Sequence, residues 1–228
     1  MKNTLFLAII LLVSWQISMA QHGTDSTKNK KPPTQHHSIG IGLKAGLNFA
    51  NVTNASSINS SHETGFHAGI IYAPQSKSII GSSTELLFSR QGYNYDSGTN
   101  TGTVNLDYII FQQLMVINIT KFVAIQLGAQ FAYLINAKVD SSNQYNTGNA
   151  TANEILSYYN RYDYGFGAGV EVHPVMGLLV GARYNISLNN LYKSPTSFPS
   201  GGVPSFIPNT SSINLKNNLI QIYAGWRF

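Results

Sequence analysis

Hydrophobic and polar residues alternate along most of this chain. Between positions 39 and 50, Ile39, Ile41, Leu43, Ala45, Leu47 and Phe49 share one face; Gly40, Gly42, Lys44, Gly46 and Asn48 share the other. A period of two marks a strand with two unlike faces. Phe66, Ala68, Ile70 and Tyr72 oppose Gly65, His67 and Gly69 in the same way. Phe166, Ala168, Val170 and Val172 oppose Gly165, Gly167, Gly169 and Glu171. Leu178, Val180, Ala182, Tyr184 and Ile186 oppose Gly181, Arg183 and Asn185. The chain closes on Ile220, Ile222, Ala224, Trp226 and Phe228 against Gln221, Tyr223, Gly225 and Arg227. The stretch 104–118 is apolar on both faces around Gln112-Gln113, which leaves its register open. With the turn residues between segments, the pattern predicts eight strands, over 39–50, 64–73, 78–93, 104–118, 122–139, 159–172, 178–189 and 213–228.

The connections alternate in length. Those at 51–63, 94–103, 140–158 and 190–212 are long, and those at 74–77, 119–121 and 173–177 are short. An up-and-down barrel puts odd connections at one rim and even ones at the other, and outer-membrane barrels have long loops outside and short periplasmic turns. The expected fold is therefore all-β: an eight-stranded antiparallel up-and-down transmembrane β-barrel of outer-membrane type, over 39–228, with both ends periplasmic.

Composition supports a membrane setting. Charged residues make up 10% of the chain, against about 25% in ordinary soluble domains. Beyond Ala20 no apolar run is long enough for a transmembrane helix, and only a closed barrel otherwise pairs every backbone group within lipid. A soluble barrel would turn its apolar face inward. Here that face is expected to meet lipid, with glycine and charge in the lumen, where Lys44, Glu85, Glu171, Arg183 and Arg227 could pair with one another. Glu85 or Glu171 is expected to partner at least one of the two arginines.

The beginning of the chain resembles an export signal: Lys2, an apolar run from Leu5 to Val13, and the small-x-small site Ser18-Met19-Ala20. Cleavage after Ala20 is expected, leaving 21–38 as a disordered periplasmic leader with Pro32-Pro33 and His36-His37. The absence of cysteine excludes disulfides and thiolate metal sites. The formal charge of +5 becomes +4 once Lys2 leaves (13 basic minus 9 acidic). Lys28, Lys30 and Lys31 lie together in the leader, so the basic balance reads as a solvated tail and does not point to nucleic acid.

Several segments resemble a family. Lys44-Ala45-Gly46-Leu47-Asn48-Phe49, Gly65-Phe66-His67-Ala68-Gly69 and Glu85-Leu86-Leu87-Phe88-Ser89-Arg90-Gln91-Gly92 are similar to the Bacteroidetes outer membrane protein β-barrel domain, the PorT-like porin-family barrels. Leu127-Gly128-Ala129-Gln130, Gly181-Ala182-Arg183-Tyr184-Asn185 and the closing 221–228 continue the resemblance. Gln112-Gln113 departs from it where a proline is expected. The resemblance implies an outer-membrane barrel and no agreed catalytic residues. The closing strand looks like a signal read by barrel-assembly machinery, carried by Tyr223, Trp226 and Phe228.

Other constellations have ordinary readings. Gly165-Phe166-Gly167-Ala168-Gly169 lacks the spacing and the strand-to-helix setting of a nucleotide loop, and reads as room for bulky lumen neighbours. His36-His37 has no carboxylate nearby, and Ser61-His62-Glu63 are neighbours in sequence rather than a catalytic geometry. No catalytic residue, metal or cofactor is expected. Tyr72, Phe88, Tyr133, Tyr184, Trp226 and Phe228 read as aromatic girdles at the membrane interfaces. The expected role is a non-enzymatic barrel presenting four external loops, in envelope integrity or binding of an extracellular partner, with lipid and lipopolysaccharide around it. The alternatives are a PorT-like part of a secretion or assembly machine with its own subunit partners, a narrow channel for ions and very small solutes, and a lipid-modifying enzyme.

Overall fold

The computed structural model describes residues 40–53, 61–74, 78–96, 101–141, 156–193 and 216–228. The expected signal peptide and leader, with His36-His37, lie outside the described residues, as do the interiors of the long connections. The described strands are β1 (Ile41–Thr53), β2 (Ser61–Tyr72), β3 (Ile80–Asp96), β4 (Thr101–Asn118), β5 (Val123–Ser141), β6 (Tyr162–Val172), β7 (Leu178–Ser187) and β8 (Lys216–Arg227).

Every strand pairs antiparallel with its neighbours in the chain, and β1 pairs with β8 to close the ring. Closure places Leu43 opposite Trp226, Ala45 opposite Ala224 and Leu47 opposite Ile222. It leaves no unpaired edge. The short turns cluster at one rim. Gly177 takes a left-handed φ of 92° in one of them and accepts a hydrogen bond from the Arg227 amide at 2.7 Å.

Five strands reach further toward the long connections than the hydrophobic pattern implies: β1 to Thr53, β2 from Ser61, β3 to Asp96, β4 down to Thr101 and β5 to Ser141. Backbone pairing there continues through polar pairs such as Asn94 with Thr103 and Asp96 with Thr101, which the hydrophobic alternation does not mark. Conversely, β6 begins at Tyr162 rather than 159, and Tyr159 meets Tyr192 as an isolated bridge.

The register of β4 is resolved. Val104, Leu106, Tyr108, Ile110 and Leu114 point inward and are buried, while Ile109 and Met115 are exposed on the outer wall. Gln112 turns inward. Gln113 turns outward and accepts a hydrogen bond from the Thr84 hydroxyl at 2.9 Å. Where β4 meets β5 the register slips between Asp107 and Tyr108. The extra residue, Ile135, is exposed, and the face alternation resumes with Ala137 buried.

The outer wall is apolar. Ile41, Leu43, Leu47, Ile70, Leu86, Leu127, Val170, Ile186, Ile220 and Ile222 are all exposed there. A belt of this extent on a water-facing surface would aggregate; on a lipid-facing surface it is solvated.

Candidate functional site

The lumen is filled, and its two halves have different chemistry. The first is a polar layer centred on Glu85 of β3. Its carboxylate accepts from Lys44 Nζ at 2.8 and 2.9 Å and from Arg183 Nη1 and Nη2 at 2.9 Å each. Arg183 stands on β7 and Lys44 on β1, so one carboxylate ties three strands. The guanidinium also donates to the side-chain oxygens of Gln112 and Gln126. Lys44 Nζ lies 3.4 Å from the centre of the Tyr223 ring. Arg183, Glu85 and Lys44 are 2%, 1% and 3% exposed, so almost no solvent reaches them.

The layer continues to either side. Asn48 donates to Ser89 at 2.8 Å, and its carbonyl oxygen lies 2.8 Å from His67 Nδ1. Asn185 donates to Gln221 at 2.8 Å. Toward the short turns, the Glu171 carboxylate accepts from Gln126 at 2.9 Å and from the Tyr223 hydroxyl at 3.1 Å, and lies 2.8 Å from His173 Nε2. Most buried polar atoms thus find a partner, as a dry interior requires.

Glycines make this packing possible. A Cβ on Gly167 would stand 2.2 Å from Asn185 Oδ1 and 3.3 Å from Arg183 Cδ. One on Gly169 would stand 3.1 Å from Arg183 Cβ. The glycine run on β6 is thus the space that β7's long side chains occupy.

Toward the long connections the lumen is not glycine and charge, contrary to the sequence expectation. Leu87, Tyr93, Tyr95, Val104, Leu106, Tyr108, Ile110 and Leu134 line it and pack with Leu156, Tyr159, Leu191 and Tyr192. The Tyr93 hydroxyl bonds that of Tyr192 and lies 3.2 Å from that of Tyr159. Asn160 fastens the two flanks of the β6–β7 end by donating to the carbonyls of Asn190 at 2.8 Å and Tyr192 at 2.9 Å. Burial raises the Tyr159 and Tyr192 phenols well above their usual value. A closed lumen has no water to satisfy, so apolar side chains fill it as well as paired charges do.

At the short-turn end the lumen opens into a cavity of about 660 Å³, lined by Gln126, Glu171, His173, Lys121, Phe122 and Arg227 among others.

The expected lumen residues thus fall into two groups. Lys44, Glu85 and Arg183 form one ion cluster, and Glu171 joins it through Gln126 and Tyr223. Arg227 does not: it sits at the cavity mouth, half-buried, with Nη1 at 3.4 Å from the Ala73 carbonyl. Its parity is inward, but its height is that of the rim, beyond reach of either carboxylate.

The aromatic positions all lie on the outer wall, but not at one height. Tyr72, Trp226 and Phe228 lie at the short-turn end; Tyr133 lies toward the long connections beside Tyr162, with ring centres 5.2 Å apart. Phe88 and Tyr184 stand between, well inside β3 and β7. Both face outward at mid-strand. On the long-connection side the apolar band ends at an outward ion pair, Arg90 Nε to Asp107 at 2.7 Å, with Asn136 donating to the same carboxylate at 3.1 Å. Of the assembly-signal positions, Trp226 and Phe228 face outward and Tyr223 is buried in the lumen. Sequence reasoning missed Gln112, Gln126 and the tyrosine cluster. The inward parity of β5 marks Gln126; nothing in the pattern marks Tyr159 or Tyr192.

A search of curated proteins finds no match. Among solved structures, the chain is similar to Ail, the attachment invasion locus protein of Yersinia pestis, at 14% identity, covering 83% of this chain and 99% of that one, with a TM-score of 0.43. It is similar to Neisserial surface protein A at 15% identity, 83% and 97% coverage and a TM-score of 0.49. It is similar to OprG of Pseudomonas aeruginosa at 9% identity, 84% and 97% coverage and a TM-score of 0.43. A family model described as outer membrane protein beta-barrel domain matches residues 19–193. With its closed ring of eight strands and apolar outer wall, the chain belongs to that family and is a barrel of the outer membrane.

Proposed function

We propose that this protein is a non-conducting, non-enzymatic outer-membrane barrel that presents its four long connections to the cell exterior. There it contributes to envelope integrity or binds an extracellular partner. The observation that carries this reading is the filled lumen: Glu85, Lys44 and Arg183 close its middle and the tyrosine-rich core closes its outer half. What remains available to a partner is the external surface. Among the described residues, the lumen imidazoles His67 and His173 are engaged with Asn48 and Glu171 rather than with a hydroxyl nucleophile. Export through cleavage after Ala20, insertion by barrel-assembly machinery and a PorT-like, Bacteroidetes affiliation complete the reading; they rest on the sequence resemblances. The test is single-channel recording in planar bilayers. No defined conductance is expected, and a reproducible conductance would make the protein a narrow channel instead.

A second reading has its own observation. The short turns expose large apolar side chains, with Ile79, Val175 and Met176 at 71%, 56% and 88%. Such a rim suits a subunit of a secretion or assembly machine that docks from the periplasm. A photo-crosslinker at Met176 that captures one defined periplasmic protein in living cells would favour it; capture of lipid alone would remove it.

A further inference from the structure

We infer that the cavity at the short-turn end is a binding site for a small soluble oxyanion, a carboxylate or a phosphate, held by Arg227. The argument begins with charge. Arg227 borders the cavity, and no carboxylate among the described residues pairs with it. Its Nε is buried without a partner, and its one side-chain hydrogen bond among the described residues is the long contact to Ala73. A buried guanidinium nitrogen ordinarily has an acceptor.

Among the described residues, no side-chain carboxylate near the cavity is free to pair with it. Glu171 is the one acid lining the cavity, and its oxygens are taken by Gln126, Tyr223 and His173. Glu85 is consumed by Lys44 and Arg183. Glu63, Asp96, Asp140 and Asp163 stand near the strand ends at the long connections, and Asp107 is held by Arg90 and Asn136.

A second cation stands on the rim, its Nζ 4.9 Å from the centre of the Phe122 ring. Lys121 lines the same cavity from the β4–β5 turn, on the opposite side of the ring from β8. Ser82, Ser83 and Asn118 supply uncharged polar groups between them. Two cations thus border a cavity of about 660 Å³ whose one acid, Glu171, is already engaged, which favours a small anion at the Arg227 end. The planar guanidinium suits the two oxygens of a carboxylate or phosphate. The inference rests on the closed lumen proposed above only in that the anion stops in the cavity. Conductance in a bilayer would overturn that closure and leave saturable binding untouched.

The experiment is amide NMR of the full chain folded in neutral maltoside micelles at constant ionic strength, titrated separately with succinate and with inorganic phosphate. Saturable shifts of the Arg227, His173 and Gly177 signals are expected with at least one of them; which one names the oxyanion. Arg227→Gln is expected to weaken binding about tenfold or more, the loss of a charge-assisted hydrogen bond. Lys121→Gln is expected to weaken it less. Both variants should retain the heat-dependent gel migration of a folded barrel; if Arg227→Gln does not, Lys121→Gln carries the test alone. Shifts that never saturate, or that persist unchanged in the variants, overturn the proposal. Shifts seen only in nanodiscs containing phosphatidylglycerol assign the cations to lipid headgroups and overturn it equally.

Discussion

Arg183 and Glu85 meet across the full width of the lumen, 98 residues apart in the chain, with two hydrogen bonds of 2.9 Å each. Their strands, β7 and β3, lie on opposite sides of the ring, so the pair is a strap rather than a neighbour contact. Lys44 shares the same carboxylate. This arrangement ranks the substitutions. Glu85→Gln leaves two buried cations facing each other and is expected to be the most damaging. Arg183→Met leaves the Lys44–Glu85 pair intact and should cost less, on the order of 3–5 kcal/mol or below. Urea unfolding followed by gel migration of boiled and unboiled samples measures the order; equal losses would show that Glu85 is not the shared centre.

The strap shows what sequence can and cannot specify in a barrel. Alternation assigned Lys44, Glu85, Glu171 and Arg183 to the inner face, because parity follows from the pleat alone. Parity does not give height. Strands tilt by about 35–45°, so which inward residues meet depends on the stagger between strands. That is why Arg227, inward by parity, ends at the rim with Ala73 instead of beside a carboxylate. The apolar outer lumen was hidden for another reason. Tyr93 and Tyr192 are 99 residues apart, and Tyr192 lies outside any regular strand, so no periodicity connects them. Strand β4 carried the clue in its two apolar faces, one for lipid and one for this core.

The tyrosine cluster leads to a pH prediction. Burial raises the Tyr159 and Tyr192 phenols above the unfolded value of about 10. A group whose folded pKa is raised contributes stability that is fully present below the unfolded pKa. It loses that contribution as pH rises through the folded pKa. The long-connection end should therefore loosen above about pH 10 while the barrel below it holds. Tyrosinate absorbance should show a subset of phenols that titrate only when protease sensitivity at this end rises. Simple titration of all tyrosines together near the free value would contradict it.

The glycines of β6 should be intolerant in proportion to what they face. Gly167→Val would drive a side chain into Asn185 and the Arg183 stem. Overpacking of this kind costs about 1–3 kcal/mol, and here it also misaligns the strap to Glu85. Phe166→Val, one residue away but on the outer wall at 60% exposure, should be close to neutral in lipid. Comparable losses at the two positions would argue that β6 faces the other way.

The closing strand carries the last prediction. Trp226 pairs with Leu43 of β1 and Leu178 of β7, and the Phe228 amide donates to the Ile41 carbonyl at 2.9 Å. Deleting 226–228 removes the final rungs that join the two ends of the ring and exposes an edge on β1. Phe228→Asp keeps the backbone but puts a charge on the outer wall at the membrane interface. The energetic cost there is about 0–1 kcal/mol, too little by itself to abolish a folded barrel. If Trp226 and Phe228 also act as the assembly signal, Phe228→Asp should nonetheless lower the amount of folded protein in the outer membrane far more than that energy implies. The same variant should fold normally when refolded from urea into detergent. Loss in cells with normal refolding in vitro separates recognition by the assembly machinery from stability. Wild-type levels in cells would mean that the terminal aromatic serves only to close the ring.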